Sequence, residues 1–302
     1  MSAPAMRRLT GVGLGWRPQL QTFAARAELG FAEVIAESVD PRRLPRGLDA
    51  ASRAGLTVIP HGVGLSLGGT ERPHPRRLRR LADLAERLDA PLVSEHIAYV
   101  RADGLEAGHL LPVARTEESL EILCENIAEA QAALPVALAL EHVAALVEWP
   151  GNELDEATFV SELVARTGAL LLLDLSNLYA NAFNHGWDAL EALRRFPLEQ
   201  IAYVHVGGGV HRDGMYHDTH ADPIVPGVLA LVDELFAIAD APGVLLERDN
   251  NFPSEDELTE ELGAIAAAAA RGSARCDPIP GDAPTRVARW RRRAASALDH
   301  AG

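Results

Sequence analysis

Ala169-Leu-Leu-Leu-Leu-Asp-Leu-Ser-Asn177 is the stretch that decides the fold. Consecutive leucines ending in an acid leave no polar face, which suits a parallel strand covered on both sides with a carboxylate at its C-terminal end. Working outward from this strand, Leu170 to Asp174, similar runs lie at Thr10 to Gly15, Phe31 to Glu37, Leu56 to His61, Pro91 to His96, Val136 to Glu141, Ile201 to His205 and Val244 to Glu247. Amphipathic helical segments separate them: Pro75 to Leu88, Glu117 to Leu134, Glu156 to Thr167, Trp187 to Arg195, Val225 to Ile238 and Ser254 to Ala270. Thr116 precedes an acidic first turn, and Ser254 opens a Ser-Glu-Asp-Glu capping box. Eight strands alternating with helices in 302 residues predict an α/β chain folded as a TIM (β/α)8 barrel. The competing open doubly wound sheet needs a dinucleotide fingerprint after its first strand. Gly11, Gly13 and Gly15 followed by Trp16 do not supply one and read as turn glycines. Beyond Ala270, Gly272, Pro278, Pro280, Gly281 and Pro284 interrupt the pattern. Residues 1–272 are therefore expected to form the barrel, and 273–302 an Arg-rich tail in which Thr285 to Leu298 has the pattern of one helix.

Composition narrows the function. Hydrophobic residues make up 48% and charged residues 24%, enough for a large core. A net charge of -15 argues against nucleic acid as a partner, because phosphate binding needs basic side chains. All 28 basic residues are Arg, which excludes Schiff-base and P-loop lysine chemistry. The two cysteines, Cys124 and Cys276, form neither a disulfide framework nor a Cys-rich metal site. Any metal must be held by His and carboxylates. No apolar run reaches the roughly 18 residues of a membrane span, and Met1 to Thr10 has no apolar core, so a cytoplasmic location away from membranes is expected.

The strand ends carry the chemistry. His61, Glu95-His96, Glu141-His142, Asp174 with Asn177, His205 and Glu247 close six successive strands, and barrel strand C-termini open on one face. Asp218 and His220 follow the seventh strand; in an extended segment this D-x-H pair points one way. One such residue alone reads as a hydrogen-bonded lip residue. Together, four acids aimed at one place would repel by several kcal/mol without cations between them. His61, His96, Glu141, Asp174, His205, Asp218, His220 and Glu247 suit two or three ions of Zn, Mn or Fe, with Asn177 a ninth candidate. Glu141 and Glu247 are the expected bridges, since a carboxylate has two oxygens to share.

Two families share this pattern. The order His, His, Glu, Asp, His, Asp-x-His, Glu resembles endonuclease IV-type enzymes, which hold three zinc ions and cut abasic DNA. Local sequence resembles more closely the multinuclear non-heme iron-dependent oxidative enzymes (MNIO), formerly domain of unknown function 692 or UPF0276, with MbnB-like and TglH-like members. The matching stretches are Gly11-Val-Gly-Leu-Gly-Trp-Arg17, His61-Gly-Val-Gly-Leu-Ser-Leu-Gly-Gly69, Val93-Ser-Glu-His-Ile97, Leu173-Asp-Leu-Ser-Asn-Leu-Tyr-Ala-Asn181, Asn184-His-Gly186, His217-Asp-Thr-His220 and Leu246-Glu-Arg-Asp-Asn250. They fall within Leu9 to Ala270.

The resemblance implies a xylose isomerase-like, endonuclease IV-like barrel. It implies that His61 and His96 hold one iron, that Asp174 and His205 hold a second, and that Glu141 and Glu247 are shared. Those six form the implied catalytic set, while Asp218, His220 and Asn177 correspond to a third, weaker site. Two or three iron ions (Fe2+/Fe3+), O2 as co-substrate, oxidation of a residue such as Cys in a ribosomally synthesised precursor peptide, and a small leader-binding partner protein are implied as well. The alternatives are a zinc- or manganese-dependent hydrolase or isomerase on the same barrel, and a metal-binding accessory protein without turnover. Departures from the family pattern are Glu95 in place of Asp, His142 in place of Asn, and Val206-Gly-Gly-Gly209 in place of Ala-Gly-His. His142 reads as a lip residue, His185 and His217 as structural, and His74, His109, His211 and His300 as solvated loop residues.

Overall fold

The computed structural model describes residues 8–240 and 242–276. Eight parallel strands close on themselves: β1 (Val12–Gly15), β2 (Ala32–Ile35), β3 (Val58–His61), β4 (Leu92–His96), β5 (Ala137–Glu141), β6 (Leu170–Asp174), β7 (Ile201–Val206) and β8 (Val244–Leu246). Each pairs with its neighbours in sequence order, and β8 returns to β1 through Val12 opposite Val244. The TIM barrel expected from the alternation is the fold.

Period-two alternation divides each strand between two cores. Leu138, Leu140, Leu171, Leu173, Val204, Val206, Val244 and Leu246 face outward into the layer shared with the helices. Phe31, Ile59, Leu92, Ala139, Leu172, Tyr203 and Leu245 face inward and pack together in the lumen. Two residues beyond these apolar plugs stand His61, Glu141, Asp174, His205 and Glu247. The lumen is thus an apolar floor that supports a polar upper layer. Gly13 belongs to this floor rather than to a turn: a Cβ there would lie 2.9 Å from the Phe31 ring, so the small residue admits the aromatic.

The helices follow their caps. The Thr116 hydroxyl accepts from Ser119 N–H at the start of Glu117–Ala133, and the Ser254 capping box opens Glu255–Arg275. That last helix runs past Gly272, where a pattern break was expected. A Cβ on Gly272 would sit 2.0 Å from the Asp233 carbonyl oxygen, so this glycine permits close packing on helix Pro226–Ile238 instead of ending its own. The segment expected at Trp187 to Arg195 shortens to Ala189–Leu193. An unexpected helix, Leu175–His185, starts directly on β6, and antiparallel hairpins Ala98–Ala102 with Leu105–Pro112 and Gly209–Arg212 with Met215–Asp218 decorate the loops after β4 and β7. The tail helix expected at Thr285 to Leu298 lies outside the described residues. Among the described residues, no helix is long and apolar enough to cross a membrane.

Candidate metal centre

Six strand ends converge as expected. His61 and His96 direct their Nε2 atoms at Glu141 Oε2, 3.5 and 3.2 Å away. From the other side His205 Nδ1 lies 3.5 Å from Glu141 Oε1 and 3.1 Å from Glu247 Oε2. All five, with Asp174, are buried. The potential ligand atoms gather in overlapping groups within 4.8 Å: His61, His96, Glu141; then Glu141, Asp174, His205, Glu247; then Asp174, Asp218, His220; then His220, Glu247, Asp249. Glu141, Asp174, His220 and Glu247 each belong to two groups, so the cluster is one connected set of subsites.

Neighbouring hydrogen bonds orient these side chains. His61 Nδ1 meets Ser94 Oγ at 2.8 Å, His96 Nδ1 meets the Gly62 carbonyl at 3.1 Å, and His205 Nε2 meets Glu33 Oε2 at 2.9 Å. Each ring has one nitrogen engaged outside the cluster and the other turned inward. Asp174 caps the helix that follows it: Oδ1 accepts from Ser176 and Asn177 N–H at 2.6 and 2.9 Å, while Oδ2 is buried without a partner. Glu95 Oε2 accepts from Leu65 N–H at 2.8 Å and so shapes the loop after His61; its side chain serves the backbone beside the cluster.

Asp218 and His220 do meet, with His220 Nε2 2.7 Å from Asp218 Oδ2, but for a different reason than strand alternation. Asp218 ends a hairpin strand, and His220 turns back with φ of +50°, a left-handed conformation that folds its ring toward Asp218. Its Nδ1 lies 3.2 Å from Asp249 Oδ2, a carboxylate the sequence reading passed over although it stands in Leu246-Glu-Arg-Asp-Asn250. Arg17 holds Asp249 from behind at 2.5 Å and is itself buried. Asn177 is buried beside Glu141, with its amide donating to the His142 carbonyl at 2.9 Å and lying 3.5 Å from Glu141 Oε1. His142 points away: Nε2 donates to the Asp174 carbonyl at 3.0 Å and Nδ1 faces Glu156 at 3.4 Å, so it braces the wall. His185 likewise bonds the Ala145 carbonyl, and His74 caps helix Pro75–Leu88 by accepting from Arg76 N–H rather than standing free in solvent.

Electrostatics reveals an unmet demand for positive charge. Burial, the Asp218 carboxylate and then Glu141 and Glu247 push the Asp174 carboxyl up to about 7. Burial opposes protonation of His96, yet Glu141, Glu95 and Glu247 outweigh it and raise the ring to about 9. His205 and His220 are raised against burial in the same way, by Glu247 and Asp218 respectively, while burial of Glu247 is outweighed by His205 and His220, which hold it well below the usual carboxylate range. Protons do here what cations would do. Glu141 Oε2, Asp174 Oδ2, His205 Nδ1, Asp218 Oδ1 and Glu247 Oε2 are buried without hydrogen-bond partners, all at the centre of the cluster. Such atoms are costly to bury unless something ligates them. The donor set of imidazoles and carboxylates fits Fe, Mn or Zn.

The profile of a family described as "RiPP precursor modification enzyme MbnB/TglH/ChrH" matches residues 11–270. A UPF0276 protein of Streptomyces avermitilis is 52% identical over 263 residues, covering 84% of this chain and 54% of that protein, so the chain spans about half the length of that relative. A UPF0276 protein of Caulobacter vibrioides is 36% identical over 267 residues, covering 87% of this chain and 95% of that one. Among solved structures, D-psicose 3-epimerase from Clostridium cellulolyticum H10 superposes with a TM-score of 0.52 at 15% identity, covering 96% of this chain and 98% of its own, a likeness of fold.

Proposed function

Because the chain belongs to the MbnB/TglH/ChrH family of RiPP precursor modification enzymes, we propose that it is an iron-dependent oxidase or oxygenase that uses O2 to modify a residue, Cys first among candidates, of a ribosomally made precursor peptide. The observation that carries this reading is the connected set of overlapping ligand groups, joined by Glu141, Asp174, His220 and Glu247, in which five ligand atoms are buried without hydrogen-bond partners. His61, His96 and Glu141 would hold one ion, and Glu141, Asp174, His205 and Glu247 a second. Asp218 and His220 would hold a third with Asp174, or His220 with Glu247 and Asp249; Asn177, expected at this third site, lies instead at Glu141 and the His142 carbonyl.

Two or three iron ions bound there would supply oxygen activation and a low-pKa thiolate at the substrate. The protein's own contribution is placement. Outer hydrogen bonds keep an imidazole nitrogen of His61, His96 and His205 turned inward, Asp174 is locked by the helix it caps, and Arg17 steadies Asp249. The apolar floor from Phe31 to Leu245 closes the lumen below, so water and peptide approach only from the loop face. The alternative, a zinc or manganese hydrolase or isomerase, shares the ligands but needs no oxygen.

The deciding experiment loads anaerobically purified protein with ferrous iron and adds a Cys-bearing precursor peptide, with and without a leader-binding partner protein, and then oxygen. Iron-dependent oxygen uptake with a mass change on the Cys residue is expected. Turnover with zinc or manganese in the absence of oxygen would replace this proposal by the alternative.

A further inference from the structure

Below the ligand layer lies a second polar group that the lumen should not contain. Glu33, Ser94 and Tyr203 are all fully buried inside the barrel, on β2, β4 and β7. The Tyr203 hydroxyl lies 2.5 Å from Glu33 Oε2 and 2.7 Å from Ser94 Oγ. Glu33 Oε2 also meets His205 Nε2 at 2.9 Å, and Ser94 Oγ meets His61 Nδ1 at 2.8 Å. One connected path therefore runs from His61 in the first ligand group to His205 in the second.

Counting hydrogens along that path leaves one arrangement. A carboxylate only accepts, so both contacts at Glu33 Oε2 are donations, one from Tyr203 O–H and one from His205 Nε2–H. Tyr203 is a phenol with a single hydrogen to give. That single hydrogen is committed to Glu33, and the Tyr203–Ser94 contact must be Ser94 O–H donating to the phenol oxygen. Ser94 has then used its only hydrogen, which obliges His61 Nδ1–H to donate to Ser94 Oγ. With a cation in place of the protons the cluster otherwise binds, His61 Nε2 and His205 Nδ1 are the nitrogens left without hydrogen, both turned into the cluster. With every member buried, water cannot stand in for a lost partner.

We infer that Glu33 is a positioning residue for two ligand groups at once: directly at His205, and through Tyr203 and Ser94 at His61, it dictates which nitrogen of each ring carries hydrogen and which is free to ligate. His96 is outside this control, because its Nδ1 faces the Gly62 carbonyl. The inference rests on the metal-centre reading and deepens it: the two subsites share one orienting anion instead of having one each.

Zinc alone, a diamagnetic probe, tests this on the full chain labelled with nitrogen-15 histidine. In the zinc-loaded unaltered chain, ring spectra should show His61 as the Nδ1–H form and His205 as the Nε2–H form. Glu33→Gln should disturb both rings and weaken zinc binding about 10- to 100-fold. Tyr203→Phe and Ser94→Ala should disturb His61, spare His205, and leave His96 unchanged; they decide the matter if Glu33→Gln does not fold. Unchanged rings and unchanged zinc affinity in the variants would overturn the inference while leaving the metal centre intact. So would an equal disturbance of His96, which would mean general loosening. Failure of the unaltered chain to bind zinc, iron or manganese would remove the metal-centre reading and this inference with it.

Discussion

Chelating the metals should make the protein increasingly fragile as pH rises from about 6 to about 9, while the loaded protein escapes this loss. The metal-free cluster depends on bound protons. Asp174, raised from 3.8 to about 7 by burial and by Asp218, Glu141 and Glu247, contributes its full stability below about 3.8 and loses it as pH climbs through about 7. His96 acts in the same direction: burial opposes its charge, Glu141 and Glu95 more than restore it, and its contribution is complete below 6.5 and gone above about 9. Glu247, held low by His205 and His220 against its burial, contributes above 4.5 and is lost only in acid, outside this window. The His96 shift, from 6.5 to about 9, lies in this window and corresponds to roughly 3 kcal/mol, while most of the Asp174 contribution is already lost by pH 6. For a chain of this size, about 2–4 °C per kcal/mol makes the His96 loss a difference of about 10 °C. Scanning calorimetry of chelated and metal-reconstituted protein at several pH values across this range measures it. The gap in melting temperature should widen with pH; a constant or shrinking gap would show that cations do not replace those protons.

Other outcomes follow from single residues. Glu141→Gln or Glu247→Gln should lose metal and turnover together, read by elemental analysis and oxygen uptake; full iron with full turnover in either would refute its assignment as a bridge. Gly272→Ala should destabilise the fold by about 1–3 kcal/mol in urea titration, since its Cβ would meet the Asp233 carbonyl at 2.0 Å. A neutral result would mean the two helices separate at little cost. Ser254→Ala, which removes the capping box, should cost about 1 kcal/mol by the same titration and leave metal content unchanged.

Most of the barrel was legible because parallel strands covered on both faces announce themselves as short aliphatic runs. Leu170–Asp174 is the plainest case. The ligands were legible for a geometric reason: a residue at a strand's C-terminal end in this fold has nowhere to point but the common mouth. Glu33 and Tyr203 were missed because each lies inside its strand, where a polar residue reads as an interruption. The signal was present, since Glu33 stands two residues after the lumen residue Phe31 and Tyr203 two before His205, on the same strand face. Asp249 was missed because it lies beyond the end of β8, in a loop with no period to mark it. His220 met Asp218 through a left-handed backbone residue, which neither strand nor helix patterning can foresee. Helix Leu175–His185 was hidden by Asp174, whose roles as strand end and helix cap fall on one residue.

Diffraction from anaerobically grown crystals loaded with ferrous iron, recorded on both sides of the iron absorption edge, tests the metal centre most directly. Two or three anomalous peaks are predicted, one between His61, His96 and Glu141, the next among Glu141, Asp174, His205 and Glu247, and any third beside Asp218 and His220. A map with no anomalous peak among these side chains, at full iron in the soak, would contradict it.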